Sequence, residues 1–110
     1  MLTKNALIEI NKEFNDGKII NESSLDFAIS NVNNTKDWIK QLSYLTRAIL
    51  IDHIFSEGNK RTVGALIIAV LEEKKLAYDP FRINKLITDI IIKNITNIDI
   101  IRRMIKYVIR

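Results

Sequence analysis

The stretch HIFSEGNKRT at residues 53–62, followed by VGALIIAVL at residues 63–71, decides how this chain folds. The first ten residues hold the only histidine of the protein, a carboxylate, two cations and a glycine. The nine that follow carry no charged or hydroxyl side chain. A helix that is apolar on all sides has to be buried. The sequence therefore predicts a polar loop joined to the start of a buried helix, which is how a functional site is placed on a scaffold.

The start of this helix carries cations where the helix dipole disfavours them. Asn59 is predicted to be the N-cap, with a side-chain oxygen that accepts from a free backbone N–H, and Lys60 and Arg61 follow in the first turn. A helix N-terminus carries about +0.5 of a charge, so acidic residues are favoured there. The conflict is removed if an anion is held by the free N–H groups and the two cations. Gly58, which has no Cβ, lets the backbone approach such a ligand closely.

Two further side chains flank the predicted anion site. Glu57 would hold a divalent metal that bridges to phosphate oxygens, and His53 would take a proton from a hydroxyl that attacks the phosphate. Phe55, between them, is predicted to point into the core and hold the loop. A structural histidine beside a solvated Lys-Arg pair is the alternative interpretation, and the residue types alone leave the two open.

The same residues resemble the signature of the Fic/Doc (Fido) family, which is His-x-Phe-x-(Asp/Glu)-(Gly/Ala)-Asn-(Gly/Lys)-Arg. The chain matches all seven specified positions with His53, Phe55, Glu57, Gly58, Asn59, Lys60 and Arg61. Lys60, where Fic adenylyltransferases have glycine, and the following Thr62 are similar to the death-on-curing (Doc) toxin branch. The chain also has the length of a minimal Doc-like domain.

The resemblance implies an all-α, Fic/Doc-like helical bundle that modifies a target protein with ATP and Mg²⁺. His53 would be the general base on a protein hydroxyl, Glu57 the Mg²⁺ ligand, and Arg61 the residue that holds a phosphate. Three residues would form the anion nest: Gly58, Asn59 and Lys60.

Two positions depart from the family patterns. Gly64 stands where Fic adenylyltransferases carry a second arginine, and Gly58 is Fic-like where Doc tends to have alanine. The missing arginine and Lys60 disfavour AMP transfer. In Doc the same changes go with a reversed placement of ATP and with transfer of the γ-phosphoryl group to a threonine of a translation elongation factor. The resemblance therefore implies a kinase-type toxin of a toxin–antitoxin system, with a Fic-type adenylyltransferase and a non-catalytic basic binding module as alternatives.

An inhibitory (Ser/Thr)-x-x-x-Glu-(Gly/Asn) helix, which restrains many Fic proteins, has no match in this sequence. A separate antitoxin is therefore the expected partner beside the target protein.

Length and composition predict one domain over residues 1–110. The hydrophobic content of 47% is enough for a core, and no stretch is long and uncharged enough to span a membrane. The absence of cysteine excludes disulfides and thiolate metal sites. Because the N-terminal residues also lack a signal-peptide pattern, a cytoplasmic protein is expected. A net charge of +4 favours anionic partners only mildly, and nucleic acid is not an expected partner of this chain alone.

Hydrophobic periodicity predicts about six helices around the buried one, which is expected to run from Lys60 to about Leu76. The other predicted limits are Lys4 to Asn15, a start within residues 21–24, Thr35 or Asp37 to about Asp52, a start at Asp79-Pro80, and a last helix after a break at residues 94–97.

Three smaller features are left with alternatives. Residues 31–35 are predicted to be a plain helix–helix loop, with a short form of the family's substrate-binding flap as the alternative. His53 falls at the C-terminal end of the third helix, where Asp52 either orients its ring or is solvated. The cations of the last helix form a solvated face or, alternatively, a phosphate-contacting surface; they are Arg102, Arg103, Lys106 and Arg110.

Overall fold

The computed structural model describes residues 2–110, and Met1 lies outside the described residues. This part of the chain forms six α-helices: α1 (Lys4–Lys12), α2 (Glu22–Asn33), α3 (Trp38–Ile51), α4 (Asn59–Glu73), α5 (Pro80–Lys93) and α6 (Ile98–Val108). Its only β pairing is two isolated bridges, Ile19 with Phe55 and Tyr78 with Ile109. The predicted all-α bundle of six helices is confirmed.

Side chains of the expected types cap five of the six helices. The capping residues are Thr3, Asn21, Asp37, Asp79 and Asn97, and each accepts a hydrogen bond from a backbone N–H in the first turn. Such residues satisfy donors that would otherwise lack an intrahelical partner. Helix α4 is the exception, because it begins after Gly58 and has no side-chain cap.

Helices α3 and α4 share the centre of the bundle. Helix α3 packs against α2, α4, α5 and α6, and α4 packs against α1, α3 and α5. The prediction of a buried helix holds for the core-facing side of α4, where Val63, Ile67 and Leu71 are inaccessible to solvent. Ala69 is exposed, because a methyl group costs little to leave in water.

Two helices end earlier than predicted. Helix α1 stops at Lys12 instead of Asn15, because the N–H groups of Glu13 and Phe14 bond only three residues back, to the carbonyls of Ile10 and Asn11, in the tighter turn of a helix end. Helix α4 stops at Glu73 instead of Leu76, because Lys75 adopts φ +59 and turns the chain out of the helix.

Residues 34–37 form a short connection between α2 and α3, so a plain helix–helix loop is present. Its predicted start was wrong, because residues 31–33 belong to α2. Gln41 Nε2 donates to the carbonyls of Thr35 at 2.7 Å and Val32 at 3.2 Å, which holds the connection against α3. The loop lies at the start of α3, and His53 lies beyond its end. Because a helix of 14 residues is about 21 Å long, the loop is too far from His53 to cover that residue as a flap.

The basic side of α6 is solvated except at one residue. Arg103, Lys106 and Arg110 are exposed, whereas Arg102 Nε donates to Asp37 Oδ2 at 2.7 Å and links α6 to the start of α3. Burial alone would raise the pKa of Asp37, but the backbone N–H of Lys40 and the Arg102 guanidinium outweigh burial and lower the pKa.

None of the helices within residues 2–110 combines the length and hydropathy that crossing a bilayer requires.

Candidate functional site

The loop between α3 and α4 is fixed by a buried phenylalanine and by backbone pairing. Phe55 is completely buried, as predicted, and its bridge with Ile19 joins the loop to the α1–α2 connection. The Ile20 N–H donates to the Ile54 carbonyl at 2.8 Å, and the Ser56 N–H donates to the Lys18 carbonyl at 3.1 Å. The α1–α2 connection, predicted only as a connector, therefore also holds the loop that carries the candidate site.

Asn59 closes the loop instead of capping the helix, so its predicted N-cap role was wrong. Its Oδ1 accepts from the Phe55 N–H at 3.1 Å, and its Nδ2 donates to the Phe55 carbonyl at 3.0 Å. Asn59 is the first residue of α4, and the N-cap is Gly58 with φ +78. The left-handed conformation of Gly58 starts the helix one residue earlier and turns the Asn59 side chain back onto the loop.

Gly58 is needed because of its conformation and because α1 lies close to it. A Cβ at this position would lie 3.2 Å from Asn11 Nδ2 and 3.6 Å from Phe14 Cβ. The prediction explained this glycine by the approach of a ligand. The structure places side chains of α1 and the following turn there, so the glycine allows the site loop to pack against the body of the protein.

Asn11 of α1 is the residue that sequence reasoning missed. It is completely buried, and its Nδ2 donates to the Glu57 carbonyl and to Thr62 Oγ1, both at 3.0 Å. Its Oδ1 accepts from the Gly17 N–H at 2.9 Å. Buried polar groups are nearly always hydrogen-bonded, and these bonds join α1, the site loop and α4. The signal in the sequence was an asparagine four residues after Leu7, on the buried face of an amphipathic helix.

The start of α4 keeps free hydrogen-bond donors. The first N–H groups of a helix have no intrahelical partner, and no side chain accepts from those of Asn59, Lys60 or Arg61. Lys60 and Arg61 are exposed and form no ion pair among residues 2–110. Backbone donors, the positive end of the helix dipole and two unpaired cations thus meet at one place, which is suited to an anion.

A cavity of about 500 Å³ opens at this helix start. Its volume lies within the roughly 300–1,000 Å³ that is typical of small-ligand sites. The structure brings all six predicted site residues together around it: His53, Glu57, Gly58, Asn59, Lys60 and Arg61. Phe14, Leu50 and Ile91, which the sequence did not suggest, add an apolar part to its lining.

His53 follows the C-cap of α3 with φ +50, a left-handed conformation that is uncommon for residues other than glycine. The side chain is exposed and lines the cavity. Of the two interpretations of Asp52, solvation is the observed one. Asp52 is exposed, and within residues 2–110 its carboxylate forms no hydrogen bond to His53, whereas its carbonyl accepts from Asn21 Nδ2 at 2.9 Å.

In the part of the chain that the structure describes, Glu57 carries the one carboxylate that lines the cavity. Among residues 2–110, no three His, Cys, Asp or Glu side chains are grouped as a protein-built metal cage would need. Magnesium is commonly held by one or two carboxylates together with substrate phosphates. A single exposed carboxylate beside an anion site therefore fits a magnesium ion that arrives on phosphate oxygens.

Gly64, the position of the absent second arginine, lies on the side of α4 that faces α5. A Cβ there would be 3.7 Å from Ile87 Cδ1, an ordinary van der Waals distance.

Comparisons of the chain with protein-family models, with curated proteins and with solved structures find no match. The resemblance to the Fic/Doc family therefore rests on the signature residues of the loop and stays a prediction.

Proposed function

We propose that this protein is a Doc-like kinase that transfers the γ-phosphoryl group of Mg·ATP to a Ser or Thr hydroxyl of a target protein. One observation carries the proposal. Within residues 2–110, the start of α4 has no side-chain cap and Lys60 and Arg61 form no ion pair. This helix start opens on a cavity that is also lined by these two cations, a carboxylate and the only histidine.

The free donors at the start of α4 support phosphate binding. Phosphoryl transfer needs groups that stabilise negative charge on the transferred oxygens, and little covalent chemistry from the protein. The backbone N–H groups of Lys60 and Arg61 supply fixed dipoles, and their side chains supply charge. Glu57 would hold the Mg²⁺ of the nucleotide, which neutralises phosphate charge when it is bound.

His53 is the only histidine of the protein and lines the cavity, and histidine is the side chain that most often serves as a general base. In the proposed reaction it takes the proton of the target hydroxyl. The hydroxyl oxygen then forms a bond to the γ-phosphorus, the bond from that phosphorus to the bridging oxygen breaks, and ADP leaves. The exposure of His53 suits this role, because the side chain of a target protein must reach the imidazole from outside.

The biological setting is proposed from the resemblance. A toxin of this kind would modify a cytoplasmic target such as a translation elongation factor. A separate antitoxin would restrain it, since the chain has no inhibitory sequence of the Fic type.

Labelled ATP tests the chemistry directly. The protein is incubated with a cell extract and ATP labelled at either the γ- or the α-phosphate, and modified proteins are weighed by mass spectrometry. The proposal expects γ-label on a Ser or Thr and a mass gain of one phosphate. A mass gain of one AMP, with α-label, would replace the kinase assignment by adenylylation.

Two variants separate catalysis from binding. His53→Ala should lower transfer by about 10²- to 10⁴-fold, the usual contribution of general base catalysis, while ATP binding persists. Arg61→Gln should weaken both binding and transfer, whereas Lys36→Gln, an exposed cation outside the cavity, should change neither. Salt-dependent nucleic-acid binding that survives His53→Ala and Arg61→Ala, with no transfer by the wild type, would instead indicate a basic binding module.

A further inference from the structure

Gly64 is a helical glycine that neither backbone geometry nor packing requires. Glycine inside a helix costs about 1 kcal/mol relative to alanine. The glycines with positive φ among residues 2–110 are Gly17 and Gly58, so the backbone at position 64 suits any L-residue. A Cβ would touch Ile87 at an ordinary distance. What the missing side chain does provide is open space along the α4–α5 contact.

That space is a groove of about 310 Å³, here called the Gly64 groove. Its lining consists of Lys60, Arg61, Gly64, Asn84, Ile87 and Thr88. Lys60 and Arg61 also line the cavity at the start of α4. The two concavities are therefore adjacent, and two unpaired cations stand between them.

The α5 side of the groove presents unused polar groups. Asn84 and Thr88 are one helical turn apart, both are exposed, and neither side chain forms a hydrogen bond within residues 2–110. An amide offers two donors and an acceptor, and a hydroxyl offers one donor and two acceptor positions. Ile87, which is largely buried, adds an apolar edge to the lining. Hydroxyls, ring nitrogens and a flat apolar face are the chemical features of a nucleoside.

We propose that the Gly64 groove binds the nucleoside part of ATP, with the phosphate chain passing Lys60 and Arg61 to reach the start of α4. Asn84 and Thr88 contact the ribose or the base, and Gly64 leaves the room that the nucleoside occupies. The inference rests on the proposed function, because it assigns a second half to the same nucleotide site.

Binding of Mg·ATP and of magnesium triphosphate, which has the phosphate chain but no nucleoside, separates the two halves of the site. Affinities are measured by calorimetry for the full chain and for Asn84→Ala, Thr88→Val and Gly64→Leu. Each polar substitution should weaken ATP binding by about 2- to 10-fold, the effect of one lost hydrogen bond, and leave triphosphate binding unchanged. Gly64→Leu fills the groove and should lower ATP affinity to that of triphosphate. Asn33→Ala, an exposed asparagine outside both concavities, is the matched control.

The outcomes distinguish this inference from the function on which it rests. If triphosphate binds and all variants retain the wild-type affinity for ATP, the Gly64 groove is not the nucleoside site and the phosphate site stands. Wild-type ATP binding no tighter than that of triphosphate would also exclude the groove as the nucleoside site. If the wild type binds neither ligand, the proposed function fails as well. Asn84 and Thr88 are surface residues, so their variants keep the test valid even if Gly64→Leu fails to fold.

Discussion

His53, the proposed general base, has an unusual backbone conformation. His53 directly follows the C-cap of α3 and has φ +50. At this position helices commonly have a glycine. A left-handed conformation costs a residue with a Cβ about 1–2 kcal/mol. The chain therefore accepts a local cost in stability at the position where the imidazole reaches the cavity, as is common at functional sites.

Replacing His53 by glycine and by alanine measures this cost. His53→Gly should be more stable than His53→Ala by about 1 kcal/mol, because only glycine adopts the left-handed conformation freely. Both substitutions should lower the proposed phosphoryl transfer by the same factor of about 10² to 10⁴. Urea unfolding gives the difference, and equal stability of the two variants would contradict the conformational argument.

Two glycines only six residues apart should respond oppositely to alanine. Gly58→Ala should destabilise the protein by about 1–3 kcal/mol, because it strains φ +78 and brings a Cβ to 3.2 Å from Asn11 Nδ2. Gly64→Ala should stabilise it by up to about 1 kcal/mol through helix propensity. Thermal unfolding of the pair checks both signs, and each variant serves as the control for the other.

At the scale of elements, the site loop is held from two sides. Asn59 ties it to α4, and Asn11 ties it to α1 through the Glu57 carbonyl and Thr62 Oγ1. Glu57 and His53 are exposed, so their positions depend on this backbone framework and not on their own packing. Helix α1 is therefore part of the site architecture although Asn11 is buried away from solvent.

Removing the Asn11 amide should loosen this framework. Asn11→Ala leaves the Glu57 carbonyl and the Gly17 N–H without their partner, and a buried group left unsatisfied costs about 1–3 kcal/mol. Amide hydrogen exchange should accelerate in residues 54–58 more than in α6. Asn15→Ala, which loses only long 3.3 Å side-chain bonds at the surface, should change stability by less than about 0.5 kcal/mol. Equal losses of stability in the two variants would contradict the role of Asn11 in holding the site loop.

The junction of α3 and α6 should make stability depend on pH. The pKa of Asp37 is lowered in the folded protein, so the carboxylate contributes stability at pH values above its unfolded pKa, roughly 4. That contribution is lost as the pH falls through the folded pKa. Asp37→Asn should therefore be less stable than the wild type by about 1 kcal/mol at pH 7, and the gap should close as the pH falls below the lowered folded pKa of Asp37.

Urea unfolding at pH 7 and pH 3 checks the Asp37 prediction. Glu13→Gln, at an exposed position, should show no comparable gap at either pH. A constant gap between Asp37→Asn and the wild type would show that the capping geometry, and not the charge, is what matters.

At the scale of the whole molecule, every helix contributes to one core. Buried apolar residues from α1 to α6 form a single cluster, for example Leu7, Leu25, Ile49, Ile67 and Ile105. With no second core to unfold separately, the protein should lose its structure in one step.

Two probes should therefore report the same unfolding transition. Trp38 lies at the start of α3, and Lys74 Nζ is 4.8 Å from its ring, so tryptophan fluorescence follows the α3–α4 contact. Its midpoint should coincide with that of far-UV circular dichroism, which follows all the helices. The unfolding enthalpy should be roughly 75 kcal/mol near 60 °C, on the usual scale for about 110 residues. Separate midpoints would mean that part of the bundle unfolds independently.

The fold was largely predictable because its signals are local. Apolar periodicity indicated six helices, and Asp79 before Pro80 marked a helix start without reference to any other element. The sharing of the centre between α3 and α4 was not predictable, because it depends on contacts between residues far apart in the chain. The six candidate site residues were found for a local reason too, since they lie within nine consecutive positions.

The parts of the site that were missed depend on backbone geometry and long-range contacts. Asn59 is a good N-cap by residue type. Because Gly58 adopts a left-handed conformation and becomes the N-cap, the Asn59 side chain instead bonds to the backbone of Phe55. Asn11 bonds across 46 and 51 residues to Glu57 and Thr62, so no local pattern could indicate its partners. Asn84 and Thr88 line a groove with Lys60 and Arg61 because α5 packs against α4, a contact that the sequence did not specify.

The missing cap on α4 has a practical consequence for anyone who handles this protein. The other five helices have a side-chain acceptor at their start, whereas α4 has none among residues 2–110. We expect its free N–H groups to bind an anion from the solution. The free energy of unfolding of the protein should therefore depend on the buffer. It should be larger in phosphate or sulfate than in chloride at equal ionic strength. Melting curves recorded in different buffers would then describe differently liganded molecules.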